Sequence, residues 1–280
     1  MPELPEVETT RAGLEQLILG KEICQMKIYD ARLRWPVVKN FPKIVKNTRI
    51  ASITRRSKYL FLNLDNLNQN LKNQACGAIM IHLGMSGRLQ VVDTSIPREK
   101  HSHIECFLSD DQVLRYTDPR RFGSFHWIPA GESHKLLDKL GPEPLSRDFT
   151  ADYLEFKASN RVQSIKQFIM NAQIVVGVGN IYASEALFLA QIHPLTPAKH
   201  LKKNQYRKLV EAIQVTLKAA IKAGGTTLKD FQGSTGKPGY FQQKLNVYGR
   251  KGEACSKCGK EVQHLVLGQR ATYFCQKCQK

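Results

Sequence analysis

Four cysteines crowd into the last 26 residues of this 280-residue chain, spaced Cys255-x2-Cys258-x16-Cys275-x2-Cys278. Each pair fits a tight knuckle, and two thiolate knuckles close a tetrahedron around one Zn²⁺. A rubredoxin-like iron centre uses similar knuckles, so the alternative is another metal. Four sulfur ligands leave no open position on the ion, which makes it structural. The spacing also dictates the local fold. Glu261 to Leu267 and Ala271 to Phe274 read as two strands, with Gly268-Gln269-Arg270 as their turn. The C-terminus is therefore expected to be a zinc-clamped β-hairpin with Arg270 at its tip, a rigid finger suited to a nucleic-acid groove. The other cysteines, Cys24, Cys76 and Cys106, are scattered. That is no disulfide framework, and it implies a reducing compartment.

Charge points the same way. Lys and Arg total 42 against 24 Asp and Glu, a formal charge of +18. Such an excess attracts polyanions, nucleic acid foremost. The N-terminus, MPELPEVETT, is acidic and lacks the apolar core of a signal peptide. No apolar run reaches the roughly 18 residues that a membrane span needs. The expectation is a cytoplasmic protein.

Pro5 to Leu19 reads as a helix: Pro5 suits the first turn, Glu6 and Glu8 complement its positive end, and Gly20 stops it. Val7, Leu14, Leu17 and Ile18 form its apolar stripe. Short strands with turns between them follow to about residue 130, including 59–64, 78–81, 89–92 and the hairpin 104–108/113–116, which suggests a sandwich. Residues 64–75 read as a surface loop. A linker carrying Gly141, Pro142 and Pro144 leads to helices near 151–159, 162–171, 181–190 and 203–223. In the last, Leu209, Ile213, Leu217 and Ile221 recur every fourth residue. The expected class is α+β. An N-terminal β-sandwich with a leading helix spans 1–130, a linker 131–150, a helical domain 151–240 and the finger 246–280, with a DNA-binding cleft between the two main domains.

The second residue carries its own chemistry. Removal of Met1 would leave Pro2 with a free secondary amine. An α-amino group has a pKa near 7.7–8.0 against about 10.4 for lysine, so far more of it is unprotonated near neutrality. Such an amine attacks a sugar C1′, and the iminium it forms stays cationic and draws electrons. Glu3, beside it, is placed to move a proton. The same residues at a helix start also serve as plain capping groups. Gly177-Val178-Gly179 is not a nucleotide loop, because Tyr182 stands where G-x-G-x-x-G requires its third glycine. The turn ends instead in Asn180, which suits a helix cap and a DNA phosphate.

These segments together resemble the formamidopyrimidine-DNA glycosylase (Fpg) family. The resemblance covers essentially the whole chain: MPELPEVET at 1–9, RRSKYL at 55–60, HLGMSGRL at 82–89, RYTDPRRFG at 115–123, GPEPL at 141–145, VVGVGNIYASEALF at 175–188, GGTTLKDF at 224–231, GKPGYF at 236–241, VYGRKG at 247–252 and QRATYFC at 269–275. It implies a base-excision enzyme for oxidised purines in duplex DNA, working as a monomer near the nucleoid, with one structural zinc and no nucleotide cofactor. It assigns Pro2 as Schiff-base nucleophile and Glu3 as the acid for base loss. Lys58 becomes the donor for β-elimination and Arg270 the residue for δ-elimination. An arginine is a poor acid near neutrality, so electrostatic stabilisation of the departing phosphate suits Arg270 better. Met85, Arg120 and Phe122 match an intercalating triad that fills the gap left by an extruded nucleotide. Asn180 falls on the family's helix–two-turns–helix element, which meets a DNA phosphate, and His101 and Arg161 match other DNA-contacting positions. Lys229 and Tyr240 fall in a lesion-capping loop at 224–240. The sister endonuclease VIII branch shares nucleophile and finger; the PELPEVET start and the long capping loop favour the purine branch.

Overall fold

A computed structural model describes residues 2–67, 74–225 and 245–280. Two compact units divide the chain, one of Met1–Lys135 with Gly224–Tyr240, the other of Leu136–Ala223 with Phe241–Lys280.

The first unit opens with α1, Leu4–Ile18, whose face of Leu4, Val7, Leu14 and Ile18 is buried. Gly20 ends it at φ +80°, a backbone region that glycine enters without a Cβ penalty. Next come β1 (Glu22–Ile28), the short helix α2 (Phe41–Val45), β2 (Thr48–Arg56), β3 (Tyr59–Asn66), β4 (Ala75–His82), β5 (Arg88–Asp93), β6 (Ser102–Leu108), β7 (Gln112–Thr117) and β8 (Ser124–Pro129). Of the expected loop at 64–75, residues 68–73 lie outside the described residues, while β3 runs on to Asn66 and β4 begins at Ala75. Leu64 takes the third buried position of a strict alternation with Leu60 and Leu62, and this extends the strand.

All eight strands join one antiparallel ladder, ordered β5-β7-β6-β1-β2-β3-β4-β8. The sandwich arises because this single sheet folds over on itself. Tyr116 on β7 meets Phe125 on β8 edge to face at 4.8 Å, although five strands separate β7 from β8 in the ladder. Extra residues at register shifts in β1, β2, β4 and β6 supply bends. One apolar core fills the fold, joining Leu60, Leu62, Ile79 and Ile81 to Ile104, Leu114 and Tyr116, with α1 and α2 packed on it.

The second unit holds α3 (Ala151–Ala158), α4 (Ile165–Met170), α5 (Asn180–Leu189), a 3₁₀ turn at Ala198–His200 and α6 (Lys203–Lys222). Thr150 and Ser164 cap α3 and α4 through their hydroxyls, at Tyr153 and Gln167. Leu209, Ile213 and Leu217 of α6 are buried as their spacing requires. The unit ends in the hairpin β9 (Gln263–Leu267) and β10 (Arg270–Phe274). Among the described residues no helix is long and apolar enough to cross a membrane.

Candidate active site and metal centre

Pro2 and Glu3 are both buried, at the start of α1. Glu3 is the N-cap of the helix, and its side chain accepts from the backbone of Glu6. Glu6 answers by accepting the Glu3 N–H at 2.8 Å. This reciprocal capping box fixes the chain just where Pro2 sits, at the positive end of the helix. The capping reading of Glu3 therefore holds.

Lys58 occupies the two-residue turn Ser57-Lys58 between β2 and β3, where Arg56 pairs with Tyr59. Ser57 is buried and adopts φ +57°. Its carbonyl accepts from Arg55 at 2.8 Å, and Arg55 in turn pairs with Glu8 of α1 at 2.7 Å. The lysine-bearing turn is thus tied to the helix that carries Pro2. Beyond it lies His82, whose ring is 4.9 Å from that of Tyr59. Burial, joined by the positive charges of Lys58 and Arg34, lowers the His82 pKa to about 4. The neutral ring uses Nδ1 to accept the Gly84 N–H at 3.0 Å, at the start of the next functional turn.

That turn presents Met85, 36% exposed. A neighbouring turn presents Arg120 and Phe122, the latter 45% exposed, with the Arg120 guanidinium 5.0 Å from the Phe122 ring centre. The two turns touch backbone to backbone, for a Cβ on Gly84 would overlap Phe122 and Gly123. Two large apolar side chains and one arginine are thereby held at the surface. His101 lies close by in the chain fold: its carbonyl accepts the Asp118 N–H at 3.0 Å.

In the second unit the structure corrects two readings. Asn180 is not the cap of α5. Gly179 holds that position, and Asn180 is the first helical residue. Its amide Nδ2 donates instead to the Ala271 carbonyl at 2.9 Å, while its Oδ1 is buried with no hydrogen-bond partner among the described residues. Arg270 is not in the hairpin turn. Leu267 pairs with Arg270, so the turn is Gly268-Gln269 alone, at φ +53° and +60°. Two successive positive φ values make the tight turn that two-residue hairpins favour, and this moves Arg270 onto β10. There it borders a cleft of about 210 Å³ with Lys166, Gln167, Met170, Asn171 and Leu267. Arg161 is exposed on the segment between α3 and α4, its N–H bonded to Ala158 at 2.9 Å. Lys229 and Tyr240 lie outside the described residues.

Sequence reasoning missed three buried charged groups that support these positions. Lys166 of α4 is 2% exposed and donates to the Ala271 carbonyl at 3.0 Å and to Thr272 Oγ1 at 2.8 Å. Glu185 of α5 accepts four hydrogen bonds from Asn246, Val247 and Tyr248, pinning the strap that enters the finger. Asp118 lies wholly buried beneath the two surface turns. Two of them, Asp118 and Glu185, stand inside quoted sequence blocks, but nothing in a linear sequence marks a charge as buried.

The sulfurs of Cys255, Cys258, Cys275 and Cys278 all lie within 4.8 Å of one another. Cys258 and Cys275 are 3.5 Å apart, Cys255 and Cys278 3.9 Å. A tetrahedron with Zn–S bonds near 2.3 Å has edges of about 3.8 Å. The Lys260 backbone N–H pulls the Cys258 thiol down to about 7, while burial and the neighbouring sulfurs push Cys278 up to about 12. Four thiolates cannot ionise together without a cation among them, so the donor set fits one structural zinc.

Comparison with known proteins agrees along the whole chain. Residues 1–125 match the formamidopyrimidine-DNA glycosylase N-terminal domain, 140–232 the formamidopyrimidine-DNA glycosylase H2TH domain, and 252–280 the zinc finger found in FPG and IleRS. Formamidopyrimidine-DNA glycosylase of Hydrogenovibrio crunogenus is 50% identical, covering 100% of this chain and 97% of that protein. The same enzyme of Stutzerimonas stutzeri is 48% identical over 100% of both chains. Wild-type Lactococcus lactis Fpg in complex with an N7-benzyl-Fapy-dG DNA superposes at a TM-score of 0.89, with 35% identity over 100% of both chains. The chain belongs to the formamidopyrimidine-DNA glycosylase family.

Proposed function

We propose that this chain removes oxidised purines from duplex DNA and then cuts the strand, with Pro2 as the nucleophile of both steps. Once Met1 is gone, the Pro2 nitrogen carries a lone pair and sits at the positive end of α1, which disfavours a second positive charge there. It attacks C1′ of the damaged nucleotide. The glycosidic bond breaks and the base leaves with a proton; the C1′–O4′ bond then opens, O4′ takes the proton the nitrogen gives up, and the nitrogen and C1′ share an iminium. Glu3 moves protons at the opening sugar ring. Loss of a C2′ proton expels the 3′ phosphate, and a second elimination expels the 5′ phosphate. Lys58 serves the first elimination. Arg270, permanently charged, stabilises the second departing phosphate.

Binding has its own residues. Met85 and Phe122 enter the stack as the nucleotide leaves it, and Arg120 reaches the orphaned base. His101, Arg161 and Asn180 meet phosphates, and Lys229 and Tyr240 belong to the loop that closes on the lesion. Zinc, held by the four cysteines, keeps the hairpin of Arg270 rigid. The protein acts as a monomer on a duplex, which puts its work at the nucleoid in the cytoplasm.

One observation carries this reading: two exposed apolar side chains stand beside an arginine, on turns fixed from below, in a chain of charge +18. Single exposed apolar residues are ordinary, but two of them beside an arginine on adjoining fixed turns suit base extrusion. Base release from duplexes carrying 8-oxoguanine, formamidopyrimidine or thymine glycol tests it. The purine lesions are released faster, and Pro2→Gly keeps DNA binding while excision collapses. Faster release of thymine glycol would move the chain to the pyrimidine branch, and full excision by Pro2→Gly would end the mechanism.

A further inference from the structure

Met85 and Phe122 both project in part from the surface, so burial of their own does not fix them fully. Their positions must come from the backbone below them, and that backbone converges on one side chain. Asp118 is 0% exposed. Its Oδ1 accepts from the Ser86 hydroxyl at 2.6 Å, and its Oδ2 accepts from the Tyr116 hydroxyl and the Gly123 N–H, each at 2.9 Å. Ser86 Oγ in turn accepts the Arg120 N–H at 3.2 Å. The Asp118 carbonyl takes the Arg121 N–H at 3.2 Å and meets His103 Nε2 at 2.9 Å. One buried carboxylate therefore bonds within the Met85 turn, within the Arg120–Phe122 turn and to the strand beneath both.

Burying a carboxylate is costly unless several donors satisfy it, and apolar side chains would fill the same space more cheaply. What an apolar group does not supply is direction. The three donors define where the two turns stand relative to each other. The glycines confirm how close the fit is: a Cβ on Gly123 would overlap the Tyr116 hydroxyl, and one on Gly87 would come within 2.6 Å of it. Burial, with Asp118 beside it, raises the Tyr116 phenol well above its ordinary range, so the ring keeps its proton and remains a donor.

We infer that Asp118 is a positioning residue for base extrusion, the buried anchor that locks the Met85 turn to the Arg120–Phe122 turn so that the three side chains enter the duplex as one rigid wedge. The inference rests on the wedge reading given above. A rigid wedge matters only where a paired, stacked nucleotide must be displaced. A nucleotide in a single strand is already free of its partner, so the chemistry there makes no use of the lock.

The test compares Asp118→Asn with the wild-type protein on two substrates: 8-oxoguanine paired with cytosine in a duplex, and an abasic site in a single strand. Asparagine keeps the shape but turns an N–H₂ group toward one or two of the donors. Excision from the duplex falls by about tenfold or more, while strand cleavage at the single-stranded site stays within about twofold, the usual scale for losing hydrogen bonds at one buried group. The same substitution is then made in a Met85→Ala/Arg120→Ala/Phe122→Ala background, where it adds less than about twofold because the group it positions is gone. Ser86→Ala removes one arm of the network and carries the same comparison should Asp118→Asn fail to fold. Equal losses on both substrates, additive losses in the triple background, or no loss on the duplex overturn the inference. A Met85→Ala/Arg120→Ala/Phe122→Ala protein that excises like wild type has a different signature: it removes the wedge reading itself, and the inference falls with it.

Discussion

Acidification offers a direct probe of how the first unit is held together, through His82. Its folded-state pKa is lowered to about 4, first by burial and then by Lys58 and Arg34, with His126 adding slightly and Asp118 opposing. In the unfolded chain a histidine titrates near 6.5. Below pH 6.5 the unfolded state therefore binds a proton that the folded state refuses, and stability falls as pH falls. The loss reaches about 2 kcal/mol at pH 5 and about 3 kcal/mol below pH 4, from 1.36 kcal/mol per unit over about 2.5 units. The His82 edge keeps some exposed surface, which makes these upper values. Protonation also ends the acceptance of the Gly84 N–H by Nδ1, so the Met85 turn loosens first. Both tryptophans, Trp35 and Trp127, lie in the first unit, and their fluorescence during urea unfolding reports on that unit alone. His82→Asn supplies the control: its Oδ1 still accepts from Gly84, and it does not titrate. The wild-type stability drops away from that of the variant by about 2 kcal/mol between pH 7.5 and pH 5. Parallel curves would show that burial does not keep this ring neutral.

Three further outcomes follow from the packing. Gly84→Ala places a Cβ against the Phe122–Gly123 backbone at φ +65°, so left-handed strain and overpacking together destabilise the first unit by about 2–5 kcal/mol; a shift in urea midpoint worth less than about 1 kcal/mol contradicts the close approach. Stripping the metal with a strong chelator releases one equivalent of zinc and abolishes tight DNA binding, while the urea midpoint read from Trp35 and Trp127 stays put; more than one equivalent, or unchanged binding, refutes a single structural ion. Glu185→Gln turns an N–H₂ group toward two N–H donors whichever way it lies, costing about 2–4 kcal/mol, and amide exchange at residues 246–248 speeds up; unchanged exchange there means the strap is held by something else.

How much of this could be read from the sequence depended on whether a feature is local. The cysteine spacing, the alternation of Leu60, Leu62 and Leu64, and the fourfold recurrence of Leu209, Ile213 and Leu217 are set by neighbours in the chain, and the structure has each of them as expected. Asn180 was misread because the capping preference of asparagine competes with a partner 91 residues away, the Ala271 carbonyl, which no local rule contains. Arg270 was placed in the turn because the type of a hairpin turn is decided by φ at Gly268 and Gln269, and a glycine followed by a glutamine suits more than one turn. The single folded sheet was hidden for the same reason. Strand order is a pattern of distant pairings, and only bulges and the Tyr116–Phe125 contact reveal that its ends meet. The buried charges Asp118, Lys166 and Glu185 were the furthest from view, since a charged residue in a sequence reads as a surface residue.

The central claim is that the amine of residue 2 becomes bonded to the sugar. Borohydride reduction during turnover of 8-oxoguanine duplex, followed by proteolysis and mass spectrometry of the cross-linked peptide, locates that bond. The account predicts a reduced adduct on Pro2 of a chain that has lost Met1. An adduct on Lys58 or any other lysine, or base release with no adduct at all, contradicts it.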